Sequence, residues 1–431
     1  MGALANLRSH VRDPLYLNGV ALVANAGLSA ALGFLFWMVA ARRFNADALG
    51  IGAAVVSAAT LAALIGKAGF DAAVIRYAPS ASARGVRRIL LRASLATVTL
   101  TGLVAATVLV LATLGVPALE ALKTPTYAAG FLLLAVGTSL AWILDAFFIA
   151  EQRADGVLLR NLAFNGVKLL VPLVIVFSWG GRAVPLAWGV GLAASLVVAF
   201  AILPRRLAAH RPTGAKPERA AFGYSMRNYA LNLSEFLPGL VLPLLVLQAA
   251  GAEENARFYL AWTVATVAFL ASKAIAQSAF AALVRDGDAR AALVKGLTLS
   301  CLLLAPLALV MYAGAPFLLA LFGQHYVDSA PLLRLLAMSI PFVIVLNLYL
   351  AYLKAKDEGW ELTALPLANL AALMLLMPLA LAWGGSWGVG LAWLVVQTLA
   401  GLYAAARLAA KLRRNLHGTP RIGLRRHPHE G

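Results

Sequence analysis

The chain has 431 residues, of which 62% are hydrophobic and 13% charged, with a mean hydropathy of +0.83 and a formal net charge of +18. A soluble domain carries about 25% charged residues to wet its surface, so half that supply excludes a water-soluble fold and requires lipid as the solvent. The single cysteine, Cys301, excludes an internal disulfide and reads as a packing residue in an apolar run.

The first segment, up to Pro14, carries Arg8 and Arg12, and an apolar stretch then runs from Leu15 to Ala40. This exceeds the core of about 7–15 residues found in signal peptides, so it reads as a retained first membrane helix. A membrane helix needs about 20 mainly apolar residues to cross about 30 Å of hydrocarbon. On that measure helices are predicted near 15–40, 48–77, 89–114, 126–150, 161–180 and 185–204. Six more are predicted near 228–250, 256–284, 293–320, 331–354, 362–383 and 387–407. The stretch 161–180 is unusual in beginning with Asn161, Asn165 and Lys168.

The expected fold is all-α and polytopic, with about twelve transmembrane helices in two parallel, pseudo-symmetric sets of six around a central cavity. The expected division is 1–204 for the first set, 205–221 for a cytoplasmic linker, 222–407 for the second set and 408–431 for a basic tail. Residues resembling one another across the sets support duplication. Lys67 and Arg76 close the second helix much as Lys273 and Arg285 close the eighth, and Tyr16 and Asn18 open the first as Tyr229 and Asn232 open the seventh.

Lysine and arginine set the orientation. With a cytoplasmic N-terminus, the opposite side receives only Arg42, Arg43, Lys123, Arg182, Arg257 and Arg334. The basic excess, including the linker and the tail, then faces the cytoplasm, and both termini lie there. Basic loops against an anionic leaflet account for the net charge without nucleic acid.

Charges inside the bilayer are costly and usually meet a cavity or a partner. Asn228, Asn232 and Glu235 fall on one helical face, with Arg227 ahead of them, and read either as a helix–helix seam or as the wall of a hydrated cavity. In the cavity reading Glu235 takes a proton or cation. Asn18 and Asn25 share a face of the first helix in the same way. Lys67 and Asp71 are spaced to pair with each other, whereas Lys273 has Gln277 in the corresponding position. An unpaired membrane lysine makes Lys273 the leading anion-binding residue, followed by Lys67. Arg76 and Arg285 read as interface anchors or as a ring around a cytoplasmic mouth. Arg92, Asp145 and Lys168 lie near the expected boundary, where side chains snorkel to water.

No phosphate-binding loop, H-E-x-x-H motif or Cys/His cluster is present. No metal, cofactor or catalytic constellation is expected, and the chain does not read as an enzyme.

The first hairpin carries a specific resemblance. Ala40-Ala41-Arg42-Arg43-Phe44-Asn45-Ala46-Asp47-Ala48-Leu49-Gly50 and Gly69-Phe70-Asp71-Ala72-Ala73-Val74-Ile75-Arg76-Tyr77 are similar to the first turn and second helix end of Wzx-type polysaccharide biosynthesis proteins. These belong to the multidrug/oligosaccharidyl-lipid/polysaccharide (MOP) exporter superfamily. The resemblance implies a lipid flippase of the bacterial inner membrane. Its cargo would be an undecaprenyl-diphosphate-linked oligosaccharide for O-antigen lipopolysaccharide, capsule or exopolysaccharide, moved by alternating access. It implies membrane lipids and polysaccharide-assembly proteins as partners. It also implies Lys273, Lys67, Arg227 and Arg76 as diphosphate ligands, Asn18, Asn25, Asn228 and Asn232 as cavity lining, and Glu235 and Asp145 as sites for proton or sodium coupling. A cation-coupled drug antiporter of the same superfamily is the alternative, and a membrane glycosyltransferase or polymerase a more distant one.

Overall fold

The computed structural model describes residues 14–174, 182–213, 221–286, 288–356 and 359–417. In chain order the helices are α1 (Pro14–Arg43), α2 (Ala46–Gly66), α3 (Phe70–Tyr77), α4 (Ala83–Thr113), α5 (Pro125–Ala150), α6 (Ala154–Val174) and α7 (Ala183–Ala209). They continue as α8 (Ala221–Asp286), α9 (Ala289–Ala313), α10 (Ala315–Ala320), α11 (Ala330–Lys356) and α12 (Gly359–His417). Short 3-10 turns span Pro117–Lys123 and Gln324–Ser329.

Among the described residues ten helices are long and apolar enough to cross a membrane. Two of them turn back on themselves. α8 is broken at Gly251 (φ 86°), and α12 at Gly384 and Gly385, the latter at φ 54°. These left-handed backbones suit glycine because no Cβ clashes there. Each arm of α8 and α12 is long enough to span hydrocarbon, so the ten helices make twelve passes. The protein is a multi-pass membrane protein, and the expected all-α bundle of about twelve crossings stands.

Alternate passes run in opposite directions. One face of the bundle, called terminal here, therefore carries the start of α1, the end of α7, the start of α8 and the end of α12. The other face is distal.

Two expected helices are each two pieces. The stretch near 48–77 is α2 followed by α3, separated at Ala68 (φ 42°) and Gly69 (φ 83°). The stretch near 293–320 is α9 followed by the short α10, with Gly314 between them. The first interruption contains no proline, the residue whose missing N–H marks a helix end from sequence, whereas Pro316 opens α10 just after the second.

α2 sits at the centre and is more buried than any other described crossing. Its buried face is almost wholly Ala, Gly, Val and Ser, which lets neighbouring backbones approach closely in the absence of a hydrophobic force between helices. Gly50 shows the limit: a Cβ there would lie 1.8 Å from the Ala252 carbonyl oxygen. The Asn255 side chain caps this contact by donating to the Gly50 carbonyl at 2.8 Å.

Further bonds close the distal seam between the first and last six passes. Arg42 Nε donates to the Leu321 carbonyl, and the Ala118 amide to Gln248 Oε1, each at 2.8 Å. Phe34 meets Phe322 edge to face at 5.2 Å between ring centroids. Nearer the terminal face, the Tyr229 hydroxyl donates to the Ile65 carbonyl at 2.9 Å. The apolar cores match this pattern. One core runs through Phe36, Trp37, Leu49, Leu242 and Phe322 and joins both sets distally. Another, around Val74, Val86, Ile143 and Phe147, belongs to the first six passes alone.

Candidate functional site

Two cavities contain expected site residues. The first, of about 600 Å³, is walled by α1, α2, α3, α5 and α8. Lys67 caps the C-terminus of α2, where a cation meets the negative end of the helix dipole. The chain then reverses through Ala68 and Gly69, and Asp71 falls in the first turn of α3, where a carboxylate is favoured. Their side chains meet at 2.7 Å between Lys67 Nζ and Asp71 Oδ2. The pair expected from spacing forms, but across a helix break rather than along one helix. The Lys67 ammonium also lies 5.3 Å from the Trp142 ring centroid.

Asp145 enters the same cavity from α5. It does not snorkel. The Arg160 guanidinium forks onto it at 2.6 and 2.5 Å, and Arg160 is only 5% exposed. Arg160 also donates to Asn161 Oδ1 at 2.7 Å, and Asn161 Nδ2 donates to Asn25 Oδ1 at 2.9 Å. Asn165 similarly donates to the Ser29 hydroxyl at 3.3 Å. The polar start of α6 is thereby satisfied by α1, as buried amides must be.

The second cavity, of about 420 Å³, is walled by both arms of α8, by α11 and by both arms of α12. Asn232, Glu235 and Lys273 line it. Lys273 was expected to be unpaired, but its ammonium bonds to the Glu235 carboxylate across the α8 kink, and each side chain remains about a third exposed. The residue that keeps a cation in this cavity without a carboxylate, among the described residues, is Lys354 near the end of α11. Its ammonium lies 5.1 Å from the Phe280 ring centroid.

The remaining expected residues fall as follows. Ile75 lines the first cavity and Arg76 follows it on α3. Asn25 lies in the α1–α6 seam described above. The side chains of Asn18, Arg227 and Asn228 lie outside the described residues.

Three polar centres escaped the sequence reading. Lys168, expected to snorkel, is 2% exposed and boxed by rings, its ammonium 4.0 Å from the Trp188 centroid, 4.6 Å from Phe164 and 5.1 Å from Phe36. Glu361 on α12 accepts from the Tyr349 hydroxyl at 2.6 Å and from Arg407 at 2.9 and 3.1 Å, and Lys411 stands 3.2 Å away. At the terminal face, His210 bonds to Glu151 and to the Ala81 carbonyl, both at 2.8 Å. Burial by itself lowers the His210 pKa, but these two hydrogen bonds and the Glu151 charge together raise it above its ordinary value. Of the three, Lys168 alone stands out in the sequence, as a charge near the start of an apolar stretch. Among the described residues no His, Cys, Asp or Glu group could hold a metal ion.

The architecture has solved counterparts. A MATE-family multidrug resistance transporter of the MOP superfamily, inward-facing, superposes with a TM-score of 0.63 at 14% identity, over 89% of this chain and 95% of its own. The lipid II flippase MurJ, in an inward closed conformation, gives 0.69 at 13% identity, over 91% of this chain and 87% of its own. An outward-facing MATE transporter gives 0.59 at 16% identity, over 94% of this chain and 98% of its own. No protein-family model matches the sequence, and no curated protein matches it. The chain thus shares its fold with these structures. At these identities the likeness is one of fold alone.

Proposed function

We propose that the protein is a flippase for an undecaprenyl-diphosphate-linked oligosaccharide, working by alternating access in the bacterial inner membrane with both termini in the cytoplasm. The observation that carries this reading is the charge of the second cavity, where Lys273 and Lys354 face a single carboxylate, Glu235. A lipid diphosphate needs cations in a hydrated space, and a drug cation needs the reverse. In this reading 1–204 and 222–407 are related six-helix halves joined by the linker 205–221.

The chemistry follows from the ion pairs. An incoming diphosphate competes with Glu235 for Lys273 and gains Lys354, with Lys67, Arg76 and Arg227 as further cations along its path. Glu235, deprived of its counter-ion, is then free to take up a proton or sodium ion from cavity water. That exchange couples the return step to an ion gradient. Asp145 has a lesser part, because Arg160 already holds both its oxygens. Asn18, Asn25, Asn228 and Asn232 complete the polar surroundings.

The test is a deletion strain. Lipid-linked glycan should accumulate on the cytoplasmic leaflet, with loss of the surface polysaccharide and of any contact with its assembly proteins. Normal export without the gene would sink the reading. Loss of drug resistance with unchanged glycan would favour the antiporter.

A further inference from the structure

The two cavities differ in the kind of polar group they display. The first is lined by Ser29, Thr60, Thr263, Thr266 and charged residues, with no carboxamide. The second has five: Asn232 and Gln277 from the two arms of α8, Asn347 from α11, and Asn369 and Gln397 from the two arms of α12. Each wall segment supplies one. Asn347 donates to the Ser272 hydroxyl at 3.0 Å. The other four make no side-chain hydrogen bond with a described residue, and Asn369 Oδ1 is buried without a partner.

Unpaired amides are expensive where water is scarce, so four of them on one cavity need an occupant. A carboxamide offers donor and acceptor together, which matches a hydroxyl better than a phosphate (acceptors only) or an ammonium (donors only). The same cavity carries flat apolar surface. Trp393 packs edge to face on Trp262 at 4.9 Å and beside Phe269 at 5.4 Å, and all three line the space. Trp393 is fixed by donating its indole N–H to Ser339 at 3.0 Å. A ligand with a hydroxyl-rich edge and an apolar C–H face satisfies both surfaces, and that is a pyranose ring.

We infer that the second cavity is a sugar-binding pocket, in which the carboxamides and the Trp262–Trp393 pair hold the glycan while Lys273 and Lys354 hold the diphosphate. This rests on the flippase reading and adds to it where the glycan is read.

The test uses full-length protein in nanodiscs and two probes: lipid-linked glycan extracted from cells lacking the gene, and undecaprenyl diphosphate. The unmodified protein should bind the glycosylated lipid about tenfold more tightly, as two or more extra hydrogen bonds would give. Asn369→Leu/Gln397→Leu should erase that preference while binding undecaprenyl diphosphate within about twofold of the unmodified protein. If the double variant fails to fold, Gln277→Leu at the exposed wall should reduce the preference about threefold. Equal binding of both lipids by the unmodified protein, or a preference that survives the substitutions, overturns the pocket and leaves the flippase reading intact. Failure to bind either lipid, with retention of tetraphenylphosphonium, overturns the flippase reading itself and the pocket with it.

Discussion

Lys273 and Glu235 belong to one helix and meet only because that helix folds back at Gly251. They lie 38 residues apart in sequence, on opposite arms of α8, and pair inside the second cavity. The contact therefore reports on the kink as well as on the charge. Any motion that splays the two arms separates the pair, and any anion that takes Lys273 releases Glu235.

Substitutions can separate the structural from the transport role of this pair. Breaking a fully buried ion pair costs about 3–5 kcal/mol, but these side chains are about a third exposed, so the loss should be smaller. Lys273→Met should lower glycan export by more than about tenfold, or about 1.4 kcal/mol at the transport step, with modest loss of thermal stability. Lys273→Met/Glu235→Gln should recover the stability and not the export. Export close to the unmodified level in the double variant would remove Lys273 from the transport path.

Lys168 has no carboxylate near it among the described residues, only the three rings. A desolvated cation–π contact returns about 2 kcal/mol, while burying an ammonium costs several kcal/mol. Lys168→Met keeps the length and removes the charge, so the melting temperature in detergent should rise or stay level. A fall equivalent to more than about 1 kcal/mol would show that the rings outweigh the burial. Lys168→Glu, which puts a carboxylate against the ring faces, should prevent folding.

The linker start is held by a titratable latch. His210 is buried against Glu151 and the Ala81 carbonyl, with Arg211 beside it, and the Thr213 amide bonds to the Pro79 carbonyl at 2.9 Å. Because the folded His210 pKa is raised, the latch is fully formed below the unfolded value of about 6.5. It is lost as pH rises through the folded value. Hydrogen-exchange protection of the Thr213 amide, corrected for its intrinsic exchange rate, should therefore be high at low pH and fall at high pH. His210→Gln should flatten that profile, and a flat profile in the unmodified protein would rule the latch out.

Gly50 tests the distal seam. A side chain at this position must displace the Ala252 carbonyl, so Gly50→Leu should wedge the seam open. In a Cys301→Ser background, Phe34→Cys should become reactive to a membrane-impermeant thiol reagent from the distal side only when Gly50 is replaced. Equal labelling with and without the replacement would mean that Gly50 does not control the seam.

The crossings were legible because long apolar runs are local and bilayer thickness is fixed. The cation–carboxylate geometry was legible only where it was local too. Lys67 and Asp71 could be paired from spacing, whereas Lys273 and Glu235 could not, since the return of α8 brings them together. Asp145 and Lys168 were placed by depth near a boundary and read as snorkelling. Depth says nothing about which side of a helix a residue occupies, and α1 and α7 cover theirs. The five carboxamides have no shared spacing at all, being spread one to a wall segment, so only the folded arrangement assembles them.

Phe236, Gly239, Trp262, Thr266 and Leu270 line both cavities. The partition between the compartments is thus a single layer of side chains borrowed from one helix. A bulky cargo on one side cannot settle without shifting the wall seen from the other, so the two rooms share one volume. Cargo size becomes a quantity that the bundle can weigh mechanically, before any bond to a particular group is made.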